Sequence, residues 1–247
     1  MFWRAIKGLI KNPAVSWGVL PYSVLMGVLQ LIPAVALVAY GLAKQNKCRP
    51  YLDMLLMALP ATLLYGAVMN SLPGGFFEWY FYFFAKVALF VLPGLIIIKV
   101  RGYKLSDFGL TKKKLGLSLA LGSGFLIITT VVNALVFSAS GPTTIFGLSW
   151  IMEWSVPLFF DAFNEEFLFR GIFFLFAYKN TGSLALSYVA SMVMAFAWHP
   201  LTLVRMIPVL VQGTLMCYIL YKTKNIGGAW ISHGINRSLG SIAAQLL

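Results

Sequence analysis

GLSLALGSGFLIITTVVNALVFS, residues 116–138, runs for 23 residues without a charged side chain. A membrane-crossing helix needs about 20 predominantly apolar residues. The stretch meets that length, follows Lys112-Lys113-Lys114 and ends before the polar turn that begins at Ser140. Seven further segments repeat the pattern, near 14–43, 51–72, 76–98, 150–178, 183–200, 203–221 and 227–247. The breaks between them are rich in charge, glycine or proline, as in Lys44 to Pro50, Pro73-Gly74-Gly75, Lys179 to Gly182 and Lys222 to Gly228. The apolar runs are continuous rather than alternating, which favours helices over a β-barrel.

Composition leads to the same class. Of 247 residues, 60% are hydrophobic and 11% charged. A soluble domain is about half apolar and about a quarter charged, so this surplus of apolar surface calls for lipid. The expected fold is an all-α, polytopic transmembrane bundle of about eight helices, in a cell membrane that it crosses several times. There is no internal repeat, low-complexity tract or soluble domain.

A net charge of +12 raises the question of nucleic acid. Its distribution answers no. Thirteen of the 19 Lys and Arg precede Leu115, mostly at the ends of apolar runs, where cations meet lipid headgroups. The segment from Lys99 to Lys114 holds six cations against Asp107 alone, so it is expected on the cytoplasmic side. Counting spans from there puts Lys44, Lys47, Arg49, Lys179, Lys222 and Lys224 on that side too. The same count places the N-terminus opposite, against Arg4, Lys7 and Lys11; an interfacial helix over residues 1–12 or an incomplete first span would resolve the conflict. The run from Ala14 to Ala43 is too long for a signal peptide and reads as a retained helix. Cys48 and Cys217 read as free thiols.

The chemistry concentrates in one segment. Glu153, Asp161, Glu165 and Glu166 are four of only seven acidic residues, and they fall within 14 positions. An ionisable group at membrane depth costs roughly 2.5–3.5 kcal/mol on insertion scales, so the cluster must face protein, water or a partner. Arg170 lies one helical turn after Glu166 and can pair with it. Glu165 points about 100° away, shares its face with Asp161, and is left freer for chemistry. The two histidines, His199 and His233, both lie in or at the end of later apolar segments. Glu plus His can hold and deprotonate water, and a second His with an Asn can donate to a developing oxyanion. A structural ion-pair network and the lining of a transport path are the other readings of the same residues. Glu78, Lys86 and the aromatic residues of 76–84 read as an interfacial belt, and Pro157 and Pro208 as kinks.

Glu165-Glu166-Phe167-Leu168-Phe169-Arg170 fits EExxxR, the first motif of the CAAX-protease and bacteriocin-processing (Abi) family of intramembrane endopeptidases. The second motif of that family, FxxxH, would end at His199, and the third, HxxxN, would begin at His233. The order and spacing resemble the family. The stretch Asp107-Phe108-Gly109-Leu110 is similar too. The departures are Ala195 with Phe196 one place late, and Asn236 three residues after His233 with Arg237 at the fourth.

The resemblance implies a division into N-terminal helices without a motif, 1–100, and a catalytic bundle, 101–247. It implies Glu165 as general base, with His199 sharing its water. Glu166 and Arg170 would position the base helix, and His233 and Asn236 would bind the carbonyl oxygen. It implies hydrolysis without a cofactor, although Glu165, His199 and His233 would alternatively make a three-ligand zinc site with one open position. The partners it implies are a peptide or membrane-protein substrate and the bilayer, with a bacterial plasma membrane as the location. Arg237 in place of the motif's Asn bears on the oxyanion-binding half. A non-catalytic member acting as scaffold, regulator or bacteriocin-immunity protein is therefore the alternative expectation, and a small proton-coupled carrier the third.

Overall fold

The computed structural model describes residues 20–44, 48–70, 72–137, 148–198 and 203–246. Among these the chain forms eight helices and no strand. They are α1 (Leu20–Ala43), α2 (Cys48–Asn70), α3 (Glu78–Arg101), α4 (Leu115–Phe137), α5 (148–181), α6 (Leu184–Ala197), α7 (Leu203–Thr223) and α8 (Gly227–Leu246). Each matches one apolar run, because a segment in lipid must satisfy its backbone internally and the helix does so residue by residue. The interfacial helix expected over residues 1–12 lies outside the described residues.

Three of the described helices are long and apolar enough to cross a membrane: Glu78–Arg101, Leu115–Val136 and Met206–Thr223. Helix α6 has 14 residues, about 21 Å at 1.5 Å per residue, and falls short of the roughly 30 Å hydrocarbon core. Helix α5 is long, but its charges set it apart. It lies at the centre and touches α2, α3, α6, α7 and α8. Every residue from 164 to 177 is buried.

Two helices widen into π turns just before a proline: Val87–Val91 ahead of Pro93, and Ile151–Ser155 ahead of Pro157. Proline brings no N–H and crowds the carbonyl four residues back; that carbonyl belongs to Leu89 and Glu153, inside the widened turns. A third and longer π segment, Phe167–Phe176, follows Glu166 directly. Its phenylalanines pack the core: Phe176 stacks on Phe108 at 4.4 Å, and Phe169 meets Phe90, which in turn packs edge-on to Trp198 at 4.6 Å.

Helices α4 and α8 approach through glycine. A methyl on Gly122 would strike the backbone of Gly228, a methyl on Gly228 would strike the carbonyl of Ser118, and one on Gly240 would come 2.9 Å from Asn133. Small residues at such seams let backbones close in where lipid supplies no hydrophobic drive between helices.

The basic loops gather at one end of the bundle, as their charges led us to expect. Tyr51 donates to the Asn180 carbonyl (3.1 Å), Asp53 accepts from Arg101 (3.0 Å) and Tyr103 (2.7 Å), and Lys179 pairs with Asp107 (2.6 Å). Asn225 donates to the carbonyls of Thr111 and Lys113, and the Ile226 N–H donates to the Gly109 carbonyl. Cys48 and Cys217 are both free.

Candidate active site

Asp161, Glu165 and Glu166 come from one stretch of α5, and all three are buried. The expected turn-spaced pair forms: Arg170 Nη1 lies 3.2 Å from Glu166 Oε1. Glu165 is not left free, as its separation from the Arg170 face had suggested. Lys86 Nζ and Arg237 Nη2 both reach its Oε1 at 2.5 Å. The same two cations grip Asp161 Oδ2, at 3.1 Å from Lys86 and 2.6 Å from Arg237. Two carboxylates one turn apart are thus bridged twice, once from α3 and once from α8.

Lys86 corrects the interfacial reading given to it with Glu78. Its side chain is 3% exposed and it crosses the bundle to α5. The faces of Tyr82 and Phe90 lie 4.5 and 5.4 Å from its ammonium, so even its non-ionic surroundings favour a cation. Glu78 does stay at the surface. A signal for Lys86 existed: a lysine inside an apolar span is expensive unless it is paired. Its partners are 75 and 79 positions away, and helical spacing says nothing at that range.

His233 on α8 completes the cluster. Its Nδ1 lies 2.7 Å from Glu166 Oε1, and its Nε2 lies 3.7 Å from Glu165 Oε2. A carboxylate oxygen only accepts, so Nδ1–H donates to Glu166, and Nε2 is the nitrogen turned toward Glu165. Three carboxylates thus meet three cations, Lys86, Arg170 and Arg237, with one imidazole between them. Such a balanced set withstands low dielectric only as a whole, since removing one member strands a buried charge.

Residues 147–239 match the family model described as Type II CAAX prenyl endopeptidase Rce1-like. This agrees with the resemblance carried by the motifs, and at that level the similarity is to a membrane-embedded endopeptidase. No curated protein and no solved structure matches the chain. Every member of the cluster lies in the Rce1-like region except Lys86, which α3 contributes from outside it.

Within that region the other candidates divide. His199 lies outside the described residues. Asn236 is buried but faces away from Glu165: its amide donates to Gln212 Oε1 on α7 (3.0 Å), and its carbonyl oxygen accepts from Thr130 on α4 (3.2 Å). The neighbouring Arg237 is the α8 side chain that reaches Glu165. One helical position, about 100° of rotation, separates a residue that ties α8 to α4 and α7 from one that ties it to α5. Gln212 and Thr130 carry no signal in the sequence, because an isolated polar residue in an apolar run gives no direction.

Glu166 Oε2 and Arg170 Nε are buried without a hydrogen-bond partner among the described residues. No group of three His, Cys, Asp or Glu side chains among the described residues is arranged to hold a metal ion. Beside the cluster, Ser155, Val156, Phe159 and Phe160 of α5 and Gly234, Ile235, Ser238 and Leu239 of α8 line an apolar groove of about 250 Å³. It runs along the adjacent face of the two helices that carry Glu165 and His233.

Proposed function

We propose that this chain is an intramembrane endopeptidase that hydrolyses a peptide bond with water activated by Glu165. The observation that carries the proposal is the 3.7 Å approach of Glu165 Oε2 to His233 Nε2 inside a buried cluster. In this reading one water stands within hydrogen-bond distance, about 2.8 Å, of both atoms. In the proposed reaction Glu165 takes a proton from this water and the hydroxide adds to the scissile carbonyl carbon. The C–N bond then breaks, and the proton passes from Glu165 to the departing amine. Glu166, fixed by Arg170, orients the imidazole through Nδ1. His233 holds the water through Nε2, and His199 shares it in the role the motif resemblance gives it; Asn236, bonded to Gln212 and Thr130, is taken out of the carbonyl-binding role that the same resemblance gives it.

Lys86 and Arg237 already bring two positive charges to Glu165, which opposes adding a dication there, so the reaction is written without zinc. In this reading the catalytic bundle is 101–247, and the N-terminal helices lend it Lys86. The substrate is a peptide or membrane protein presented at the surface of a bacterial plasma membrane.

One observation favours a second reading, a non-catalytic member that binds or regulates a membrane partner. Both Lys86 and Arg237 lean on the carboxylate that has to act as base. Glu165→Gln separates the two. The purified chain and this variant are incubated with a panel of internally quenched peptides, and the variant is also expressed in cells. The endopeptidase reading expects cleavage by the wild type and its loss, by about 10²-fold or more, in the variant. Equal cleavage by both sinks it. A cellular phenotype that survives Glu165→Gln at normal protein level supports the scaffold.

A further inference from the structure

Among the described residues, two that are not glycine adopt a positive φ, and both are lysines: Lys114 (φ 54°) and Lys224 (φ 56°). The left-handed conformation costs a β-carbon-bearing residue free energy that glycine avoids. Lys224 stands just past the C-terminus of α7, where its N–H closes on the Leu220 carbonyl at 2.9 Å, a position that ordinarily selects glycine. Strain of this kind persists where the surroundings enforce it, and it marks candidate sites. The enforcement is visible here. Asn225 is bonded to the backbone of Thr111 and Lys113, and Ser118 donates to the Asn225 carbonyl at 3.0 Å and accepts from the Gly228 N–H at 2.9 Å. The two loops are clamped with their lysines side by side.

No carboxylate among the described residues pairs with either lysine. Lys114 Nζ donates to the Lys222 carbonyl (3.3 Å), two residues from Lys224. Burial and the Lys114 charge together pull the Lys224 ammonium below the ordinary lysine range. The acidic residues at this end are engaged elsewhere, Asp53 with Arg101 and Tyr103, and Asp107 with Lys179. The surroundings of the lysines are aromatic: Lys224 sits 4.8 and 5.0 Å from the ring centres of Tyr178 and Tyr221, and Lys222 sits 5.6 Å from Tyr218 and Tyr221. Tyrosines at the end of a membrane-length helix belong at headgroup depth, and paired lysines there complement an anionic headgroup.

We infer that Lys114 and Lys224, held together by the Asn225 and Ser118 contacts and flanked by Tyr178 and Tyr221, bind the phosphate of an anionic membrane phospholipid. The site lies at the loop end of the bundle, is separate from the carboxylate cluster, and does not depend on catalysis.

The test uses the full chain in nanodiscs of phosphatidylcholine, with and without phosphatidylglycerol, read by thermal unfolding and by the lipid retained in native mass spectrometry. The wild type is expected to melt several degrees higher with phosphatidylglycerol and to retain it over phosphatidylcholine. Lys114→Gln/Lys224→Gln should lose both effects, whereas Lys104→Gln/Lys112→Gln, equal in charge and in the same loop, should keep them. Lys224→Gly offers a second reading: it should raise the melting temperature in phosphatidylcholine by relieving the backbone and still lose the preference. Retention of the preference by either Lys224 variant overturns the inference, as does its equal loss in the control pair, which would mean a diffuse charge effect. Glycerol phosphate that reproduces the shift in neutral discs would overturn the lipid as ligand in favour of a soluble anion.

Discussion

Helices α4 and α5 are both long, yet they sit in the fold in opposite ways. Helix α4 has no charged residue, and it exposes Leu117, Ile127, Ile128, Val131 and Leu135 along its outer side. Helix α5 carries Asp161, Glu165, Glu166 and Arg170, and it lies at the centre with residues 164–177 all buried. In water the ranking would be reversed. Lipid accepts leucine as readily as a protein interior does, so apolar surface gives a helix no reason to go inside, while a carboxylate must find partners or pay several kcal/mol. Polarity, rather than hydrophobicity, decides which helix becomes the core.

The contrast can be broken most directly at Lys86. Lys86→Met leaves Asp161 and Glu165 to share Arg237, and it should cost about 3–5 kcal/mol, the usual penalty for stranding one half of a buried ion pair. Reversible unfolding in mixed micelles measures it. A loss below about 1 kcal/mol would mean that water reaches the cluster and that α5 is not the dry centre described here. A smaller effect is expected where α4 meets α8. Gly228→Leu pushes a side chain into the Ser118 carbonyl and should cost roughly 1–3 kcal/mol, as overpacking commonly does.

At the loop end of α5, Tyr103 packs edge-on to Phe176 at 4.9 Å and donates to Asp53. Tyr103→Phe should lose about 1 kcal/mol, one hydrogen bond's net worth. Burial, with the hydrogen bond to Asp53 and its charge, pushes the Tyr103 phenol up to about 12 from its ordinary 10.0. A raised value in the folded state means that the folded protein favours the neutral phenol. The contribution is therefore complete below pH 10.0 and is lost as pH rises toward about 12. Unfolding measured across that window should fall for the wild type relative to the phenylalanine variant. The smallest effect belongs to the outside of α4. Ile127→Ala should change stability by no more than about 0.5 kcal/mol, because Ile127 is 70% exposed. A large loss there would reveal a protein partner on that face.

Residue by residue, the features legible in the sequence are those whose cause is local. Among the described residues eight apolar runs form eight helices because a segment in lipid has to satisfy its backbone within itself, run by run. Glu166 and Arg170 were seen as partners because one turn of α5 separates them. The sequence alone makes Lys86 look interfacial because its partners lie on another helix, 75 and 79 positions away. Asn236 and Arg237 flank His233 on a helical wheel, each within about 60° of it, so spacing alone does not choose between them. Only the packing of α8 against α4, α5 and α7 turns one toward Thr130 and Gln212 and the other toward Glu165.

By itself, then, the sequence determined that this is a membrane-embedded helical bundle, which of its segments are helices, and which segment carries the charge. The tertiary structure alone decided that Glu165 would be held by two cations from different helices, with His233 turned to it through Nε2. The reason is physical. Helix formation and lipid partition are set by neighbours in the chain, whereas the compensation of a buried charge is settled by whichever side chains the packed helices bring within a few ångströms.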